Sequence, residues 1–132
     1  MADKHSEKIL VVDDEPTVGQ SIRLALESDG YAVEVEASGE AVLRRGDLGG
    51  FALILIDMMM PGIDGLDLLK GIRARDAAPR VVIITGYPTD KAEARALRMG
   101  ASDFLPKPFT PAELRGAVAR ALAQAPPAPD RT

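Results

Sequence analysis

Apolar residues fall into two patterns along this chain. Three runs, Ile9-Leu10-Val11-Val12, Leu53-Ile54-Leu55-Ile56 and Val81-Val82-Ile83-Ile84, are hydrophobic at every position and rich in β-branched side chains. A strand with one wet face alternates, so unbroken runs of this length predict strands covered on both faces, the centre of a parallel sheet. Tyr31 to Glu36 does alternate, with Tyr31, Val33 and Val35 set against Ala32, Glu34 and Glu36, and predicts an edge strand. Asp103-Phe104-Leu105 is cut short by Pro106, which has no N–H for a central ladder, and predicts the other edge.

Helical spacing fills the gaps. Pro16 to Ser28 has a proline in its first turn, Gly30 just beyond its end, and Val18, Ile22, Ala25 and Leu26 on one stripe. Ser38 to Arg45 predicts a weaker second helix, and Gly65 to Arg75 a third carrying Leu66, Leu69 and Ile72. Thr89 to Met99 stops at Gly100 and offers a shallow face of Ala92, Ala94 and Ala96; Pro111 to about Ala123 presents Leu114, Val118 and Leu122. Five strand–helix repeats predict an α/β fold, a doubly wound (βα)5 three-layer sandwich. Parallel neighbours need right-handed crossovers, and the two edge-like strands fit the five-stranded order 2-1-3-4-5.

The 132 residues leave room for one such domain, over 8–123. Residues 1–7 read as a disordered start, and 124–132, with prolines at 126, 127 and 129, as a tail or the beginning of a linker. An excess of acidic over basic residues gives a net charge of −4, which supplies no basic stripe for direct nucleic-acid binding. The absence of cysteine excludes disulfides, iron–sulfur clusters and thiol nucleophiles, and the lone histidine, His5, excludes a histidine-cluster metal site. No apolar run reaches the length of a membrane span and the start is too polar for a secretory signal, so a cytoplasmic protein without membrane contact is expected.

Ligands of open α/β sheets bind outside the carboxyl ends of the strands where strand order reverses, here between the first and third strands. Asp13, Asp14 and Glu15 follow the first strand, Asp57 ends the third, Thr85 ends the fourth and Lys107 follows the fifth. With adjacent strands about 4.8 Å apart, the carboxylates of Asp13, Asp14 and Asp57 should lie within several ångströms of one another. At roughly 5 Å and an effective dielectric near 20, each pair repels by about 3 kcal/mol, which calls for a counter-charge. Oxygen donors without nitrogen or sulfur favour a hard cation, and Mg²⁺ is the commonest solution; Lys107 adds a fixed positive charge. A carboxylate so placed is a competent nucleophile toward phosphorus. Asp57 would form an aspartyl phosphate, with the Thr85 hydroxyl donating to a phosphoryl oxygen. The competing reading makes Asp13 and Asp14 caps of the first helix. Met58 to Met60 reads as loop packing rather than a soft metal site. A flavin mononucleotide site would need a phosphate-binding loop where DDEPTVG places acids, and no GxxxxGK occurs.

The segments VVDDEP at 11–16, LILIDMMMPGIDG at 53–65, VVIITG at 81–86 and GASDFLPKPF at 100–109 resemble, in this order and spacing, the receiver domains of two-component response regulators. The resemblance implies a flavodoxin-like fold and makes Asp57 the phosphoacceptor. Asp13, Asp14 and the backbone carbonyl of Met59 would help hold Mg²⁺. It casts Thr85 as the switch hydroxyl, Phe104 as the switch aromatic, and Lys107, followed by a cis bond to Pro108, as the phosphoryl-binding lysine. It further implies a histidine kinase or histidine phosphotransfer protein as donor. Phosphorylation would draw Thr85 inward, turn Phe104 into the vacated space and reshape the face of fourth helix, fifth strand and fifth helix, where partners or a second copy bind. Such a protein assists its own phosphorylation and dephosphorylation and turns over no separate substrate. Met59 and Tyr87 would flank the path of water to the phosphoryl group and slow its loss, or else serve only as packing and surface groups. Phe104 likewise has a plain alternative as core filler, and the whole chain as a receiver-like scaffold working without phosphorylation.

Overall fold

Successive residues of the apolar strands divide between two cores. Ile9, Val11, Leu53, Leu55, Val82 and Ile84 lie on one side of the sheet, and Leu10, Val12, Ile54, Ile56, Val81 and Ile83 on the other, which is why these runs show no alternation in the sequence. A computed structural model of the chain describes residues 7–75 and 79–125. The expected features at His5 and at Pro126, Pro127 and Pro129 lie outside the described residues, as do most of the start and tail segments.

The elements run β1 (Lys8–Val12), α1 (Pro16–Ser28), β2 (Ala32–Glu36), α2 (Gly39–Leu43), β3 (Leu53–Asp57), α3 (Gly65–Arg73), β4 (Arg80–Thr85), α4 (Asp90–Arg98), β5 (Asp103–Pro106) and α5 (Pro111–Ala123). All ladders are parallel and the order is β2-β1-β3-β4-β5, so the fold is the doubly wound sandwich that the sequence predicts. α1 and α5 cover one face through Ile22, Leu26, Leu114, Ala117 and Val118. α2, α3 and α4 cover the other through Val42, Leu66, Leu69, Ile72 and Ala96. None of the described helices is long and apolar enough to cross a membrane.

Several boundaries differ from expectation. α2 occupies Gly39–Leu43 inside the expected 38–45, with Ser38 as its cap accepting from Ala41 N–H. α3 stops at Arg73 rather than Arg75, and Leu48–Gly50 forms a 3₁₀ turn that no hydrophobic period announced. On α4 the inward stripe is Ala92, Ala96 and Met99, whereas Ala94 is exposed. Positions 92 and 94 are two apart, about 200° around a helix, so they cannot share a face. On β2, Glu34 and Glu36 do not stand in open water: Arg45 binds them at 2.6 and 2.8 Å and Asp47 at 2.9 Å. Arg75 in turn donates to the carbonyls of Arg45 and Leu43, which ties the end of α2 to α3.

Candidate functional site

Five parallel strands end at one rim, and the polar residues that follow them converge there. Asp13 leaves β1 with its amide bonded to Glu36 C=O, and its Oδ1 accepts from Glu15 N–H at 2.9 Å. That bond braces the turn into α1, which has no side-chain cap at Glu15. Asp13 thus braces the turn before α1 through the amide of Glu15 rather than capping the helix's first-turn amides, and its other oxygen remains for the rim. Asp57 is the last residue of β3, 4% exposed, with Met59 N–H donating to its Oδ1 at 3.3 Å. Carboxylate oxygens of Asp13, Asp14 and Asp57 all lie within 4.8 Å of one another.

Lys107 Nζ lies 3.7 Å from Asp57 Oδ2 and 3.8 Å from Asp13 Oδ2. Its backbone N–H donates to Thr85 C=O at 2.7 Å, which registers the lysine against the end of β4, and the bond to Pro108 is cis. One ammonium does not offset three carboxylates. Burial, the larger cause, together with the neighbouring carboxylates pushes both Asp13 and Asp57 above the ordinary aspartate value, against the lowering pull of Lys107. The donor set is all oxygen, held by rigid strand ends and short of positive charge, and it fits a hard divalent cation such as Mg²⁺.

Thr85 is fully buried, and its Oγ1 accepts from Tyr87 N–H at 3.0 Å, which leaves the hydroxyl hydrogen free to donate. Parity along the strands separates the roles. Asp57 continues the Leu53, Leu55 row that faces α1 and α5, whereas Thr85 continues the Val81, Ile83 row that faces α3 and α4. Phe104 is the register partner of Ile83 and shares that face, so Thr85 and Phe104 belong to one layer. The Phe104 ring is already buried, at 7% exposure. Met59 and Tyr87, by contrast, are 59% and 75% exposed at the rim. Met60 is buried in the core and Met58 packs against it, as loop packing requires.

One part of the surroundings was missed in the sequence. Val18, Ile22, Ala25, Phe109 and Leu114 line an apolar cavity of about 310 Å³ between α1 and α5. Val18 and Phe109 also border the opening beside Lys107 and Glu15, so the groove runs up to the acid rim. Ile22 and Leu114 were legible only as core positions. Nothing in a one-dimensional pattern says that two core stripes leave a gap between them.

The sequence profile of the response regulator receiver domain matches residues 9–119. The chain is 40% identical over 112 residues to the transcriptional regulatory protein FixJ of Azorhizobium caulinodans, covering 85% of this chain and 53% of that protein. To the transcriptional regulatory protein ResD of Bacillus subtilis it is 35% identical over 107 residues, covering 81% and 44%. The chain thus spans about half the length of these relatives. Among solved structures, the Vibrio cholerae chemotaxis protein CheY4 superposes with a TM-score of 0.83 at 27% identity, over 88% of this chain and 98% of that one.

Proposed function

We propose, from the premise that this chain belongs to the response regulator receiver family, that it is a phosphorylation-driven switch with Asp57 as its phosphoacceptor. The observation that carries this reading is the rim itself: three carboxylates within 4.8 Å of one another and a lysine ammonium 3.7 Å from one of them. A protein that only scaffolds partners has no use for so much uncompensated charge.

An oxygen of Asp57 attacks phosphorus as the bond from phosphorus to the donor's imidazole nitrogen breaks, and the nitrogen keeps the electron pair. Lys107 sets a positive charge beside the acceptor oxygen. Thr85 turns its hydroxyl hydrogen to a phosphoryl oxygen, while Tyr87 N–H holds the hydroxyl oxygen in place. Asp13, Asp14, Asp57 and the Met59 carbonyl would hold Mg²⁺, which when bound neutralises phosphoryl oxygen charge. The donor, a histidine kinase or phosphotransfer protein, has to bring its imidazole over Asp57, and the apolar groove between α1 and α5 that ends at this rim is the surface suited to dock it. A phosphoryl group adds up to about two negative charges and three acceptors. The pull on Thr85 acts in the layer of Phe104 and α4, so the output is a changed α4-β5-α5 face, open to a partner or a second copy.

Intact-mass analysis after incubation with acetyl phosphate and Mg²⁺ tests the reading. Wild type is expected to gain one phosphoryl group and Asp57→Asn none. An unmodified wild type would favour the phosphorylation-independent scaffold, and equal labelling of both proteins would move the acceptor elsewhere.

A further inference from the structure

β2 is an edge strand, paired to β1 alone, and its last residue is Glu36. The end of a strand with one neighbour is where a sheet frays first. Here fraying would reach the rim, because the Glu36 carbonyl accepts the Asp13 N–H at 3.1 Å. Asp13 leaves the sheet at that bond, with carboxylate oxygens of Asp14 and Asp57 within 4.8 Å of its own. Like charges so close drive Asp13 outward until a cation arrives.

The Glu36 side chain is held by Arg45, which is itself fixed from several directions. Its Nη1 donates to Glu36 Oε2 at 2.8 Å, Nη2 to Glu34 Oε1 at 2.6 Å and Nε to Asp47 Oδ1 at 2.9 Å. The guanidinium carbon lies 5.2 Å from the centre of the buried Phe51 ring. Arg75, just past α3, grips the backbone by donating to the Arg45 and Leu43 carbonyls. The bond to Glu34 by itself ties β2 to the end of α2. The further bond to Glu36 falls on the rung that carries Asp13.

We propose that Arg45 is a positioning residue for the rim: through Glu36 it fixes the backbone of Asp13, so that this carboxylate stays where a divalent cation can be shared with Asp14 and Asp57. The proposal rests on the reading of the rim as a Mg²⁺ site. Groups behind a metal ligand govern affinity by orienting it. Simple electrostatics gives the opposite sign. Arg45 is a positive charge, and by field alone its removal would strengthen Mg²⁺ binding, whereas removal of a positioning residue weakens it.

Amide hydrogen exchange without Mg²⁺ and calorimetric titration with MgCl₂ at constant ionic strength test this, both well below the unfolding midpoint of each variant. In Arg45→Ala the Asp13 amide should exchange several-fold faster, while the Met58 amide, which donates to Ile84 C=O on the other side of the rim, keeps its rate. Mg²⁺ affinity should fall about tenfold in Arg45→Ala and by a similar factor in Glu36→Ala, with no further loss when the two are combined. Glu36→Gln, whose amide oxygen still accepts from Arg45, should bind Mg²⁺ as wild type does. Unchanged or tighter binding in Arg45→Ala overturns the proposal, as does equal acceleration at both amides, which would reduce Arg45 to a stabilising role. Equal losses in Glu36→Gln and Glu36→Ala, or losses that multiply in the double variant, overturn it too. A wild type that binds no Mg²⁺ overturns the underlying reading of the rim, and this proposal with it.

Discussion

Asp13 is 2% exposed and shares its surroundings with Asp57 and Asp14. Burial first, then the neighbouring carboxylates, raise its pKa above 3.8, outweighing the Glu15 N–H and Lys107. For a carboxyl group raised in the folded state, the stabilising contribution is complete below the unfolded value and is lost as pH rises through the folded one. At neutral pH Asp13 is therefore a net liability without metal. Asp13→Asn keeps an oxygen for the Glu15 N–H and removes the charge. Thermal unfolding without Mg²⁺ should show a midpoint higher by roughly 3–5 °C at pH 7, about 1 kcal/mol, with the gain shrinking as pH falls through the raised Asp13 titration. A gain independent of pH would mean that the charge is not its cause. At the mouth of the site, Met59 is a flexible apolar chain and Tyr87 a large ring, both exposed and neither suited to orient a water on phosphorus. The Met59→Asn/Tyr87→Ala variant should lose its phosphoryl group faster than wild type, followed by intact mass after removal of acetyl phosphate. Comparable half-lives would reduce both residues to surface groups.

Elements differ in how firmly they are held, and the differences follow their residues. α3 buries Leu66, Leu68, Leu69 and Ile72, whereas α4 buries Ala96 alone and rests on Ala92 and Met99. A helix with so little apolar area to lose is the one that a local charge change can move. The connection from β3 to α3 has the opposite character. A Cβ at Gly65 would come within 2.6 Å of Met58 Cα and 3.0 Å of Asp57 O, both backbone atoms that cannot step aside cheaply. Gly65→Ala should cost about 1–3 kcal/mol of overpacking, offset in part by up to about 1 kcal/mol of helix propensity. The displaced backbone is that of Asp57 and Met58, directly before Met59, so the Mg²⁺ affinity proposed for this rim should fall along with the urea midpoint. A variant that loses stability but binds Mg²⁺ as wild type does would show that the close approach serves packing only.

At the scale of the molecule, most of the fold and the rim were legible because both follow from short-range rules. Runs such as Leu53 to Ile56 have no polar face to hide, Pro111 and Gly30 punctuate helices, and strand ends in this topology point to one place. The ends of α2 and α3 were misplaced because their caps, Arg44 and Ala74, carry no glycine or proline signal. The clasp of Arg45 on Glu34 and Glu36 was missed because its members meet only through tertiary packing. The gathering of charge has a consequence for the whole chain as well. The folded state brings carboxylate oxygens of Asp13, Asp14 and Asp57 within 4.8 Å, and the unfolded chain does not, so Mg²⁺ held there as proposed would bind one state and stabilise it by mass action. Above its dissociation constant each tenfold rise in Mg²⁺ adds about 1.4 kcal/mol, roughly 4–7 °C in a chain of this size. Asp13→Asn starts higher without metal but has lost a charged donor, so its midpoint should climb less steeply with the logarithm of Mg²⁺ concentration. The two lines should cross, with wild type the more stable at high Mg²⁺, while NaCl of equal ionic strength leaves their order unchanged. Parallel lines in the Mg²⁺ series would mean that Asp13 does not help hold the cation, and the mutual repulsion at the rim would need another purpose.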